Sequence, residues 1–297
     1  MNVRLLTLLI CLVGFSAAIA QQVPDTLFQP AIQKPAYALN KGPVVLVDEA
    51  HHNFHTTTNR FKPFSILLRR DGYQVNGGTS TFSKETLKKV GILVISNALN
   101  ERNAQDWSLP TPSAFTDEEI QAVEAWVKAG GSLLLIADHM PFPGCNEKLA
   151  AAFGFKFYNG FALDTTKQGS PDLFSVTNKR LSTNKITSDL DSIYSFTGQA
   201  FDIPASATAL LTLDENFKIW SPRVAWRFEQ ETTKMPGNKK VQIAMLEYGK
   251  GRVVVSGEAA MFTAQLAGGV NKMGFNHPIA KHNSEFLLRL IHWLDHR

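Results

Sequence analysis

Cysteine is almost missing from this chain. Of 297 residues only Cys11 and Cys145 carry a thiol. Cys11 falls within an N-terminal leader, so Cys145 has no intrachain partner and no disulfide framework is expected. Ile10, not a small residue, precedes Cys11, so lipidation is not expected either. Also absent is an apolar run of the roughly 20 residues that a membrane helix needs. The string Asp48-Glu49-Ala50-His51 spells the DEAH box of helicases, but no G-x-x-x-x-G-K-[ST] phosphate loop accompanies it. No G-x-S-x-G elbow and no H-E-x-x-H pair occurs, which removes two familiar hydrolase signatures. Net charge is small: 30 Lys+Arg stand against 26 Asp+Glu, and losing Arg4 with the leader gives 29 − 26, or +3. The pairs Arg69-Arg70, Lys88-Lys89 and Lys239-Lys240 are isolated, so nucleic acid is not an expected partner.

What is present begins with a leader. Arg4, the apolar stretch Leu5–Phe15 and Ala18-Ile19-Ala20 have the order of a cleavable signal peptide over 1–20. The expectation is an exported protein, periplasmic or secreted, with no integral membrane segment after cleavage. Residues 21–40 read as a tether or an arm on the surface. Residues 41–297 read as one α/β domain with a β-rich insertion at about 156–240.

Three continuous apolar runs, Val44–Val47, Ile92–Ile95 and Leu133–Ile136, have the character of parallel strands buried on both faces. Tyr73–Val75 reads as a further strand. A helix is expected between Phe61 and Arg70. Another follows Thr116, whose hydroxyl pairs with Glu119 in a capping box ahead of Ile120, Val123, Trp126 and Val127. A third is expected at Leu149–Phe153. This alternation predicts a doubly wound, mostly parallel sheet with right-handed crossovers. Val241–Glu247 and Arg252–Ser256 read as a C-terminal hairpin, Met261–Gly269 as a mobile loop, and Ser284–Asp295 as a closing helix capped by Asn283 or Ser284.

Ligands of open α/β sheets bind at the carboxyl ends of the strands. Four such ends deliver Asp48–His55, Ser96–Asn100, Ala137–Pro141 and Gly257–Met261 to one rim. The expected catalytic set is Glu49, His52, Asp138, His139 and Glu258, with Asn53, Asn97, His277 and Asn283 binding substrate. His51 and His55 stand four apart, the helical spacing that turns two imidazoles toward one ion. The cofactor expectation is therefore none, or a divalent metal held by that pair. Purely structural roles for these side chains stay open. Cys145 precedes a helix near His139, where a thiol could be activated, but it does not stand at the strand end as a nucleophile elbow requires. Trp107, Trp220 and Trp226 could form a stacking face for a sugar or pack in the core.

Val-Asp-Glu-Ala-His-His-Asn (47–53), Phe-Lys-Pro-Phe (61–64), Gly-Gly-Ser-Leu-Leu-Leu-Ile-Ala-Asp-His (130–139) and Gly-Glu-Ala-Ala-Met-Phe (257–262) together resemble an exported bacterial family, domain-of-unknown-function family 4350. That family is similar to the class I glutamine amidotransferase-like superfamily. The resemblance implies a flavodoxin-like sheet with sites at the strand ends. It implies no activity, and a Cys–His–Glu triad does not carry over because no Cys stands at an elbow, so glutaminase activity is not expected. Two functions follow. One is a hydrolase-type enzyme acting on a small polar or carbohydrate-derived substrate; the other is a non-catalytic module for a glycan, peptide or envelope partner.

Overall fold

A computed structural model of the chain describes residues 22–169 and 171–297. Residues 1–20, expected to be a signal peptide, lie outside the described residues. The central sheet has nine strands. Six are β1 (Val44–Asp48), β2 (Gln74–Gly78), β3 (Ile92–Ser96), β4 (Ser132–Ile136), β5 (Val241–Tyr248) and β6 (Gly251–Ser256). They lie in the order β2-β1-β3-β4-β6-β5. The first five of that row are parallel, and β5 returns antiparallel to β6.

Parallel strands buried on both faces need covering layers, and the alternation of side chains supplies them. Ile92, Val94, Leu134, Ile136 and Val254 face one side, with α1 (Lys62–Arg70) and the C-terminal helix against them. Leu93, Ile95, Leu133, Leu135, Val253 and Val255 face the other, under α2 (Asp117–Lys128) and α3 (Phe142–Ala152). α2 starts as its sequence predicts, with Thr116 and Glu119 bonding reciprocally, a device worth about 0.5–2 kcal/mol.

Four features differ from expectation. Five of the nine strands are parallel, but Lys156–Phe157, Phe201–Asp202 and Thr208–Thr212 extend the sheet antiparallel beyond β5. Part of the 156–240 region thus belongs to the central sheet, while Phe161–Asp164, Phe217–Ser221 and Thr233–Pro236 form a separate three-stranded sheet. The supposed loop after Met261 is a hairpin, Ala264–Ala267 against Asn271–Gly274, joined by Gln22–Pro24 as a third strand. α3 begins at Phe142 with a proline in its first turn, so Cys145 lies inside the helix and not ahead of it. Finally α4 (Asn283–Leu294) has His282 at its N-cap without a side-chain cap bond. No helix among the described residues is long and apolar enough to cross a membrane.

Chain order reverses between β1 and β3, which opens a crevice at their carboxyl ends. The register puts Ser96, Ile136 and Ser256, the last residues of β3, β4 and β6, on one rung. The ladder continues one step further through Asn97 N–H to Ile136 O and Ala137 N–H to Ser256 O, both 2.9 Å. Asn97, Asp138 and Glu258 therefore leave the sheet side by side.

Candidate functional site

The loop after β1 is organised by Asp48. Its buried carboxylate accepts from the Ala50 N–H, from Asn53 Nδ2 at 2.9 Å and from His51 Nδ1 at 2.9 Å. The other His51 nitrogen, Nε2, lies 2.8 Å from Glu119 Oε1, which also accepts the Phe82 N–H. With a carboxylate on each nitrogen, the imidazole is held as a cation. Burial opposes the charge, but Asp48 and then Glu119 outweigh it and raise the His51 pKa. This chain of three groups ties β1 to the start of α2, and Glu119 serves as helix cap and ion partner at once.

Beside it lies a cavity of about 300 Å³ whose lining includes Phe54, Asn97, Trp107, Asp138, His139 and Trp226. Asn97 has φ +52, in the left-handed region that asparagine tolerates, and its Oδ1 accepts the Asp138 N–H at 2.9 Å. His139 is stacked on Phe161, centroids 4.6 Å apart, with Trp226 edge-on at the same distance. Its Nδ1 stands 2.8 Å from the Met140 carbonyl. A carbonyl only accepts, so Nδ1 carries the proton and Nε2 keeps a free lone pair. Burial raises the pKa of Asp138, outweighing the neighbouring His139 and the N–H groups that favour its charge. Glu258, behind it, is raised further by burial and by the Asp138 charge. Two buried carboxyls so placed share the proton burden.

Of the expected catalytic residues, then, Asp138 and His139 meet in the cavity and three do not. Glu49 turns the other way, accepting from Thr57 N at 2.7 Å and Thr57 Oγ1 at 2.6 Å, and it lies over Gly77, where a Cβ would stand 2.7 Å from its carboxylate. His52 is solvent-exposed on a left-handed residue. Glu258 is fully buried, with its two oxygens on the Ala260 and Met261 N–H groups at 2.8 Å.

Of the expected substrate ligands only Asn97 lines the cavity. Asn53 is occupied by Asp48 and by the His51 N–H. His277 packs on Phe196, and Asn283 brackets the Tyr194 backbone with its amide. Neither lines this cavity.

The His51 and His55 metal pair does not form either. Both His51 nitrogens are taken by carboxylates, and His55 meets Ser96 Oγ at 3.1 Å and Gln265 Nε2 at 3.4 Å. Burial above all, and then the Arg60 charge, hold His55 well below the usual histidine range. Among the described residues no group of three or more His, Cys, Asp or Glu could hold an ion. Cys145 is fully buried and its thiol is pushed up to about 11 by burial, the opposite of an activated nucleophile.

Several cavity residues were not anticipated. Arg60 comes from the turn before α1, Thr197 from the 156–240 region, and Gln22, Gln265 and Met273 from the three-stranded sheet that pairs the start of the described chain with the 264–274 hairpin. A second cavity, of about 520 Å³, shares Thr197, Trp226 and Met273 with the first, and Trp220 lies in its wall. The three tryptophans thus line cavities: Trp107 in one, Trp220 in the other, Trp226 in both.

No family model matches the chain, and no curated protein is significantly similar to it. Solved structures do resemble it. The mmIFT52 N-terminal domain has a TM-score of 0.61 at 15% identity, covering 84% of this chain and 97% of that one. A ThuA-like protein from Bacteroides uniformis gives 0.51 at 14%, covering 90% and 95%. A cytoplasmic protein from Salmonella typhimurium LT2 also gives 0.51 at 14%, covering 85% and 99%. At such identities the likeness is one of fold, and what this chain shares with these three is a mixed α/β architecture over most of its length.

Proposed function

We propose that this is an exported, periplasmic or secreted protein of flavodoxin-like, doubly wound design, related to domain-of-unknown-function family 4350 and the class I glutamine amidotransferase-like superfamily. It acts as a hydrolase-type enzyme on a small polar or carbohydrate-derived substrate in the strand-end cavity. One observation carries this: Asp138 and His139, whose Nδ1 is committed to the Met140 carbonyl, line one aromatic-walled pocket at the crevice at the strand ends. His139 Nε2 takes a proton from water as the water oxygen bonds to the substrate carbon. Asp138, whose carboxyl is inclined toward its protonated form by burial, gives a proton to the departing oxygen as that bond breaks. Asn97 orients the substrate, while Trp107 and Trp226 offer flat apolar walls of the kind sugar rings stack on. Cys145 takes no part.

The non-catalytic alternative has its own support. Glu49 and Glu258 spend their carboxylates on N–H groups, and Trp226 and Phe228 are 51% and 37% exposed. A panel of 4-nitrophenyl glycosides and esters separates the two. The enzyme should release nitrophenol, with Asp138→Asn and His139→Ala each losing about 100-fold or more. Ligand binding with no turnover of any member would favour the binding module.

A further inference from the structure

Among the described residues Arg60 has no carboxylate counter-ion. It lines the cavity with its guanidinium 3.8 Å above the Phe54 ring. Its one side-chain hydrogen bond among the described residues runs from Nη1 to the Phe54 carbonyl at 3.3 Å; Nε is buried without an acceptor. Arg180, the arginine buried deepest, is treated differently: Asp214 and Asp164 both pair with it. Burying a guanidinium without a carboxylate is costly, and the cost is visible as a lowered pKa caused by burial alone.

The polar groups beside it are also incomplete. Gln265, fully buried and in the same lining, has an Oε1 with no partner. His55, between Arg60 and Gln265, is kept neutral and adds no charge. Asp138 forms no ion pair with Arg60, and burial raises its pKa, which weakens its opposition to an incoming anion.

Taking the cavity as the ligand site proposed above, we infer that Arg60 anchors an anion there and that the ligand carries a carboxylate. A single guanidinium in a cavity of about 300 Å³ matches one singly charged, planar group. A phosphate dianion would need a second cation, and the lining contains no lysine and no other arginine. The substrate class narrows accordingly to sugar acids and their glycosides.

Calorimetric titration of the mature protein with D-glucuronate and D-galacturonate, beside D-glucose and D-galactose, tests this. The uronates should bind more tightly than their neutral parents, and Arg60→Gln should weaken uronate binding about tenfold or more while leaving neutral sugars unchanged. Arg60→Lys, which keeps the charge but loses the planar fork, should fall between. Should Arg60→Gln fail to fold, the wild type decides, because uronate affinity must drop as added salt screens the pair. Neutral sugars binding as well as uronates would overturn the inference and leave the acid–base site standing. Failure of both kinds of sugar to bind, or uronate affinity insensitive to salt and to Arg60→Gln, would also overturn it. Uronates held through Arg60 but never hydrolysed as 4-nitrophenyl uronides would instead remove the enzyme and keep the anchor.

Discussion

Replacing His51 by glutamine removes a cation from between two buried carboxylates while keeping a donor of similar size. The His51 side chain is 6% exposed and those of Asp48 and Glu119 are 0% and 7%, so water cannot take over the lost charge. Removing one partner of a buried ion pair costs about 3–5 kcal/mol. At roughly 2–4 °C per kcal/mol for a chain of this order, the melting temperature should fall by about 6–20 °C.

The pH dependence has a definite sign. His51 is raised in the folded state, so its contribution is complete below the ordinary histidine value of about 6.5 and fades as pH climbs through the raised one. Glu119 is lowered, burial notwithstanding, by the Thr116 and Phe82 N–H groups and by His51. Its share is present above the ordinary glutamate value of about 4.3 and is lost as pH falls through the lowered one. The gap between wild type and His51→Gln should therefore be widest between about pH 4.3 and 6.5 and narrow on the alkaline side. Urea unfolding of both proteins across that range measures it. A gap below about 1 kcal/mol at pH 5.5, or one that widens with rising pH, would refute the ion-triad argument.

Asp138 and Glu258 are both raised, so the folded protein should lose stability as pH rises above the ordinary carboxylate range, by up to about 1.4 kcal/mol per pH unit for each excess proton held. Asp138→Asn should flatten that slope in denaturant titrations; an unchanged slope would mean that Asp138 holds no excess proton in the folded state. Cys145 in the native protein should resist iodoacetamide at neutral pH until the chain unfolds, whereas rapid labelling followed by mass spectrometry would contradict its burial. Gly251→Ala would drive a methyl into the Gly131 and Val127 carbonyls where β6 passes the end of α2, costing about 3 kcal/mol or more of unfolding free energy. A loss below about 1 kcal/mol would show that this contact can relax.

Much of the sheet was legible because its physics is local. Leu133–Ile136 and its counterparts are apolar at every position since both faces are covered, and Thr116–Glu119 announces a helix by its own hydrogen bonds. Strand ends then narrowed the site, and Asn97, Asp138 and His139 do meet there. The remainder depends on contacts between distant segments. Nothing in Glu119 beyond its capping role signals that its other oxygen reaches His51, 68 positions away. The hairpin that delivers Gln265 and Met273 lacks the β-branched alternation of a strand, and it is paired with Gln22–Pro24 from the other end of the chain. The turn after Asp48 spends Asn53 and His51 on holding itself together and leaves His52 facing solvent, a division that depends on backbone direction more than on residue type.

The acid–base chemistry proposed for the cavity depends on His139 offering it a free ring nitrogen. Long-range proton–nitrogen correlation of the histidine rings, assigned through His139→Gln, measures this without knowledge of the substrate. The Met140 carbonyl predicts that, in neutral His139, the proton is on Nδ1 and Nε2 is bare. A proton found on Nε2, with Nδ1 bare, would contradict the acid–base site.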